Sequence, residues 1–220
     1  MGERELSVPC EAKEAFTLLE PYLNPPPLLV VISGPSGVGK DSVVKRMREM
    51  GHPFHFVITA TDRARRPGES DGVDYYFVST AEFQRMIAAD EFIEHADVYG
   101  QCKGVPKEHV RQALASGTDV VMRLDVQGAA TIRRKIPEAV GIFLVPPSLD
   151  VLVERLRRRP GDSEAQVQER LSMAVREMEQ ASTFDYVVVN REGELDQAVK
   201  QVLAIMSAEK CRSGRGRVQL

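Results

Sequence analysis

Gly34, Gly39 and Lys40 fall at the spacing G-x-x-x-x-G-K within the stretch GPSGVGKD, residues 34–41. Glycines let backbone N–H groups close around phosphate oxygens, a following helix adds the positive end of its dipole, and the lysine reaches the outer phosphates. The chemistry indicated is phosphate binding, with Gly34, Pro35, Ser36, Gly37, Val38, Gly39 and Lys40 as the loop that does it. The next position usually carries Ser or Thr, whose hydroxyl helps hold a magnesium ion. Here it is Asp41. A carboxylate at that place either weakens phosphate binding by setting like charge beside it or ligates Mg2+ directly, a hard cation that accepts one or two carboxylates. Ser42 offers a hydroxyl one residue later.

Two further basic clusters could meet phosphate. Arg63-Ala-Arg65-Arg66-Pro67-Gly68-Glu69 is one; Arg155-Leu-Arg157-Arg158-Arg159-Pro160, with Arg170 beyond it, is the other. Most arginines are merely solvated surface charge. Transfer of a phosphoryl group between nucleotides, however, gathers several anionic groups in one place, and planar guanidinium forks neutralise them without proton chemistry. Asp125-Val-Gln-Gly128 imitates the switch motif of regulatory GTPases, but no base-reading Asn-Lys-x-Asp stands anywhere in the chain, and that reading falls.

These residues need elements to hold them. The run at 28–32 (LLVVI) is continuous, apolar and β-branched, as in a strand buried on both faces of a parallel sheet; 119–126, 140–145 and 185–190 resemble it. Helical patterns at 42–50, 106–116, 149–159 and 164–180 separate these runs, so the alternation predicts an α/β fold with a parallel core. Between Phe56 and Gly104 the alternation breaks into short strand-like pieces, turns at Pro67-Gly68 and Asp71-Gly72, and one helix near 81–88. That stretch predicts an insertion with its own small mixed or antiparallel sheet. Residues 1–27 read as an extension: an amphipathic stretch from Ala15 to Leu23 ends at Asn24-Pro25-Pro26-Pro27. The tail from 208 to 220, with its Arg-Ser-Gly-Arg-Gly-Arg, is expected to be disordered.

With 220 residues the chain suits one globular unit, and a net charge of −3 gives no overall cationic field for nucleic acid or a membrane surface. Function must come from local sites. Cys10, Cys102 and Cys211 are too far apart for a zinc or redox motif and read as reduced thiols. No apolar run approaches the roughly 20 residues needed to cross a bilayer. The opening residues are too acidic for a transit peptide and too polar for a secretory signal.

From Leu28 to about Ser207 the chain resembles guanylate kinase, which moves a phosphoryl group from ATP to GMP. The resemblance rests on ISGPSGVGK (32–40), TDRARRPGESDGVDYYFVS (61–79), EFIEHADVYG (91–100), LDVQGA (124–129), PPSLDVLVERLRRR (146–159) and ERL (169–171), in that order. It implies the P-loop nucleoside-monophosphate-kinase fold, with core segments 28–57, 106–150 and 173–207, a GMP-binding region at about 58–105 and a lid at about 151–172. It also implies Mg2+ with ATP, and GMP or dGMP as acceptor. By that resemblance Arg63, Arg66 and Tyr75 grip the GMP phosphate, while Thr59, Glu94 and Asp125 read guanine. A carboxylate can accept from guanine N1–H and its exocyclic amine, a pair that adenine does not present. Lys40, Arg159 and Arg170 are implied at the transferring phosphate, with Arg155 nearer the donor. Asn190 either contacts adenine or is a strand-ending turn residue.

Four positions depart from the family pattern: Asp41 for a hydroxyl residue, Lys103 for a tyrosine at the GMP phosphate, Val105 for Ser or Thr, and Arg123 for an acid. Lys103 can still neutralise phosphate, so the loss of the tyrosine is compensated in charge though not in geometry. An acid lost at 123 and one gained at 41 would keep local charge constant if the two paired. These departures resemble the plastid and mitochondrial guanylate kinases of plants. Two rivals exist: a non-catalytic phosphopeptide-binding scaffold domain of the same fold, and a kinase for AMP or dTMP. Intact Lys40, Arg159 and Arg170 oppose the first, and Glu94 with Asp125 opposes the second. A monomer is favoured.

Overall fold

The computed structural model describes residues 14, 16–66, 68–97, 100–158 and 163–220. Its main sheet is built from β1 (Leu29–Ser33), β2 (His55–Phe56), β7 (Val120–Arg123), β8 (Val140–Val145) and β9 (Tyr186–Val189), in the order β2-β7-β1-β8-β9. All its pairings are parallel. On β1 the faces alternate. Val30 and Ile32, with Leu28 just before the strand, pack beneath α2 (Lys40–Glu49) and α8 (Leu195–Cys211), whereas Leu29 and Val31 face α4 (Lys107–Ala115) and α5 (Val126–Lys135). Every residue of β1 is buried, which is why its sequence reads as an unbroken apolar run rather than an alternating one. Neighbouring β7 and β8 lie on either side of it, and α5 links them by crossing over β1. Ligands of open parallel sheets bind at such a crevice, beyond the carboxyl ends of the strands. The loop at 34–39, Asp125 and Asn190 all follow strand ends there.

The insertion forms a second sheet, β4-β3-β6-β5, from β3 (Ala60–Thr61), β4 (Tyr76–Phe77), β5 (Phe92–Asp97) and β6 (Cys102–Pro106). It is mixed: β3 pairs parallel with β4 and antiparallel with β6, and β5 pairs antiparallel with β6. Ser79 caps α3 (Thr80–Ala88) by accepting from the Glu82 amide, which aims Phe83 at Phe92 with ring centroids 4.6 Å apart. The stretch 55–61 divides between the sheets, His55–Phe56 closing the main sheet and Ala60–Thr61 joining the second.

Two helices, α6 (Leu149–Arg157) and α7 (Glu164–Met178), carry their own apolar cluster of Leu152, Leu156, Val167 and Ala174. Their starts are marked by Ser148, and by Ser163 in a capping box with Gln166. The tail departs from expectation. Helix α8 runs on to Cys211, Arg215 donates to the Pro26 carbonyl, and Val218 packs against the α4–α5 core. One tertiary hydrogen bond and one apolar anchor order a stretch whose composition alone suggested otherwise.

Candidate active site

The loop between β1 and α2 is held from outside. Asn190 Nδ2 donates to the Val38 carbonyl at 2.8 Å, and Arg155 bridges Val38 O (3.3 Å) and Asn190 O (3.0 Å). Asn190, for which adenine contact and strand-ending turn were both open, thus has its amide on the loop. Gly34 opens the loop at φ 140°, and a Cβ there would lie 2.3 Å from the Leu144 carbonyl oxygen. Backbone of β8 cannot yield that space. Gly34→Ala is expected to lower stability by about 1–3 kcal/mol and to abolish phosphate binding at the loop, checked by thermal melts and nucleotide titration; unchanged nucleotide affinity would contradict it.

Inside the loop, Lys40 Nζ donates to Gly34 O (2.5 Å) and Pro35 O (3.0 Å). Burial lowers its pKa to about 8. Glu177 and Asp125 oppose that shift, while Arg123 and Lys103 add to it. Lys40 therefore has the two acids and two cations as electrostatic neighbours. Glu177, from α7, accepts the Ser36 amide at 3.1 Å, and burial raises its pKa. Arg170 lies two helical turns before Glu177 and so shares its face of α7. Arg159 lies outside the described residues, as does Pro67.

In the insertion, Arg63 grips Glu69 with both guanidinium arms (2.8 and 2.5 Å) and lies 4.9 Å from the centre of the Tyr75 ring. Glu69 also accepts the Arg66 amide at 2.9 Å, and the Arg63 bonds hold its carboxyl well below the ordinary range. Arg123 completes the wall. It pairs with Asp41, as the exchange of charges at the two positions suggested, and its other arm reaches Tyr75 Oη at 3.1 Å. Lys103 sits on β6 opposite Thr61 and Ala96. Thr59 is buried between β2 and β3, its carbonyl accepting the Tyr76 amide at 3.0 Å.

Deeper in, Glu94 is 5% exposed; burial, with Asp125 adding to it and Lys135 opposing, raises its pKa to about 7. Asp125 caps α5 by accepting the Gly128 amide at 2.9 Å. A Cβ on Gly128 would stand 3.1 Å from Glu94 Oε1, so the glycine makes room for that carboxylate. Asp125 is the electrostatic neighbour of both Glu94 and Lys40, and it joins the deep pocket to the phosphate loop.

Among the described residues, no three His, Cys, Asp or Glu converge into a protein-only metal cage. Magnesium at a phosphoryl-transfer site needs only one or two carboxylates beside phosphates and water. Asp41 and Ser42, both exposed in the first turn of α2, fit that sparse donor set.

A phosphate loop facing a second anion grip, with paired acids deeper in, is the arrangement of a two-substrate phosphoryl-transfer cleft. A guanylate kinase family model matches residues 27–209. The chain belongs to the guanylate kinase family. It is 51% identical over 195 residues to guanylate kinase 2, chloroplastic/mitochondrial, of Oryza sativa subsp. japonica, covering 88% of this chain and 68% of that one. It is 43% identical over 188 residues to a guanylate kinase of Carboxydothermus hydrogenoformans, covering 86% and 91%. The crystal structure of guanylate kinase from Anaplasma phagocytophilum superposes with a TM-score of 0.68 at 31% identity, over 86% of this chain and 89% of that one.

Two residues of the site, Glu69 and Glu177, are not singled out by sequence. Glu69 lay inside the RARRPGE motif but had no role; its pairing with Arg63 could have been guessed from their charges. Glu177 carried no signal, because only the packing of α7 brings it to Ser36. Val105, where a hydroxyl was expected, is completely buried with Ile93 and belongs to the apolar core.

Proposed function

We propose that this guanylate kinase family member transfers the γ-phosphoryl group of ATP to GMP, and to dGMP, through the cleft between its two sheets. A GMP phosphate oxygen attacks the γ-phosphorus and the bond to the β–γ bridging oxygen breaks, giving GDP and ADP. The observation that carries the reading is that the phosphate loop's helix and the Arg63–Tyr75 grip are linked through the Asp41–Arg123 pair, with the interacting acids Glu94 and Asp125 beyond them.

In this reading the loop amides and Lys40 hold the donor phosphates, and Arg63, Arg66, Tyr75 and Lys103 hold that of GMP. Glu94, Asp125 and Thr59 orient the guanine. Arg159 and Arg170 neutralise the transferring group, whose charge is spread over its outer oxygens. Arg155 and Asn190 fix the loop's outer wall and act through it. Asp41 and Ser42 would hold Mg2+, which when bound would offset the negative charge gathered at the phosphates. Residues 151–172 serve as the lid that excludes water and limits wasteful ATP hydrolysis, 58–105 as the acceptor region and the remainder of 28–207 as the frame.

A coupled assay offering ATP and magnesium with GMP, dGMP, AMP or dTMP in turn tests this. Turnover is expected with GMP and dGMP alone, and none above a Lys40→Ala control would overturn it. The name of the Oryza relative supports placement in a plastid or mitochondrion, which a fluorescent fusion of the full-length gene product would check. No described helix is long and apolar enough to cross a membrane. A monomer is the expected state on sizing with light scattering.

A further inference from the structure

Arg123 ends β7 in register with Ile32 of β1, two residues before the phosphate loop begins. Its guanidinium points two ways at once. One arm donates to the Asp41 carboxylate, beside Lys40 in the first turn of α2. The other donates to Tyr75 Oη at 3.1 Å, and the guanidinium carbon lies 5.7 Å from the centre of that ring. The same ring has Arg63 4.9 Å from its centre. A single side chain thus touches the donor loop and the acceptor grip, and it belongs to neither.

We infer that Arg123 is a positioning residue that couples the two substrate sites, so that each nucleotide binds better when the other is present. The reason is mechanical. A guanidinium is a rigid plane whose five donors keep a fixed mutual geometry. Fixing Asp41 beside a donor nucleotide fixes the plane, and the plane fixes the Tyr75 hydroxyl that meets the acceptor phosphate. The argument runs equally in reverse, as any coupling of binding free energies must. The Arg123 side chain is 29% exposed, so it is partly, not wholly, open to competing water. An acid at 123 could not bridge these partners, since it would repel Asp41. The pair Asp41–Arg123 therefore does more than neutralise charge locally. This inference rests on the nucleotide reading above.

Calorimetric titration of GMP, with and without a saturating non-hydrolysable ATP analogue and magnesium, measures the coupling as a ratio of affinities. The parent chain is expected to give a ratio of about 5 to 20, within the usual range for coupled sites. Arg123→Met should bring it close to one. Arg123→Lys should give an intermediate ratio, because an ammonium is a point charge without the fork. Tyr75→Phe, which removes the acceptor-side link while keeping the ring, should also lower it, and serves if Arg123→Met fails to fold. A parent ratio of one or below, or an unchanged ratio in the variants that fold, overturns the coupling role. A parent chain that binds no GMP at all overturns the nucleotide reading instead, so the two failures are distinguishable.

Discussion

Lys40→Ala is expected to reduce turnover by at least about 10^3-fold while leaving GMP affinity within a few-fold, since preorganised cations at transferring phosphates carry most of the catalysis in this chemistry. The fold should survive. Lys40 contributes no apolar packing that α2 needs, its helix being anchored by Val43, Val44 and Met47. Its charge is also expensive to bury, as the pKa of about 8 records. Between pH 8 and 10.5 the unfolded chain holds a proton on this lysine that the folded chain has released, so stability rises with pH across that window. Melting the parent and Lys40→Ala at pH 7 and pH 9.5 should show the parent gaining relative to the variant at the higher pH. Turnover of the variant within ten-fold of the parent would remove Lys40 from the donor site.

Glu94→Gln should raise the KM for GMP by about 10^2-fold with a smaller change in kcat, because one of the two guanine N–H groups would then face an amide N–H. The pH dependence is more telling than the magnitude. A carboxyl with a pKa of about 7 is largely protonated at pH 6 and ionised at pH 8. Only the ionised form accepts from both N–H groups, so the parent's KM for GMP should fall as pH rises from 6 to 8 and then level off. The Gln variant should show no such change. Stability moves the opposite way. From pH 4.5 to 7 the folded chain retains a proton that the unfolded chain has lost, so this group's contribution declines with rising pH and stays low above 7. At pH 8 Glu94→Gln should therefore be the more stable protein, by about 2–3 kcal/mol. A parallel KM profile in parent and variant would take Glu94 out of the base pocket.

Much of this was legible in the chain. The apolar runs of β1, β7 and β8 were legible because a largely buried strand leaves few polar positions to disguise it, and that of β9, at the sheet edge with Val187 exposed, because its residues are β-branched or aromatic. The loop was legible because its chemistry requires glycines and a lysine at fixed spacing. Short elements were harder. β2 and β3 have two residues each, too few for any periodicity, and their division between sheets is decided by partners more than 40 residues away. β6 contains Lys, Gly and Pro, poor strand formers, and exists because β3 and β5 flank it; Gly104 is needed there because a Cβ would come within 2.7 Å of the Phe92 ring. Charge exchange between 41 and 123 was visible in the residues, but the third member, Tyr75, was visible only in space.

Glu69 on Arg63 and Glu177 on the Ser36 amide supply two of the proposed phosphate-binding groups with acids of their own. In the nucleotide reading, entry at those two places is ion exchange rather than adsorption on bare charge. A phosphate that takes either place would free a carboxylate, whereas the Asp41–Arg123 pair between them would stay intact. A polyanion of the wrong shape, unable to displace both acids together, would find less to hold it than a molecule with phosphates at the right separation. Discrimination would then begin before the base is read, in a requirement for simultaneous displacement.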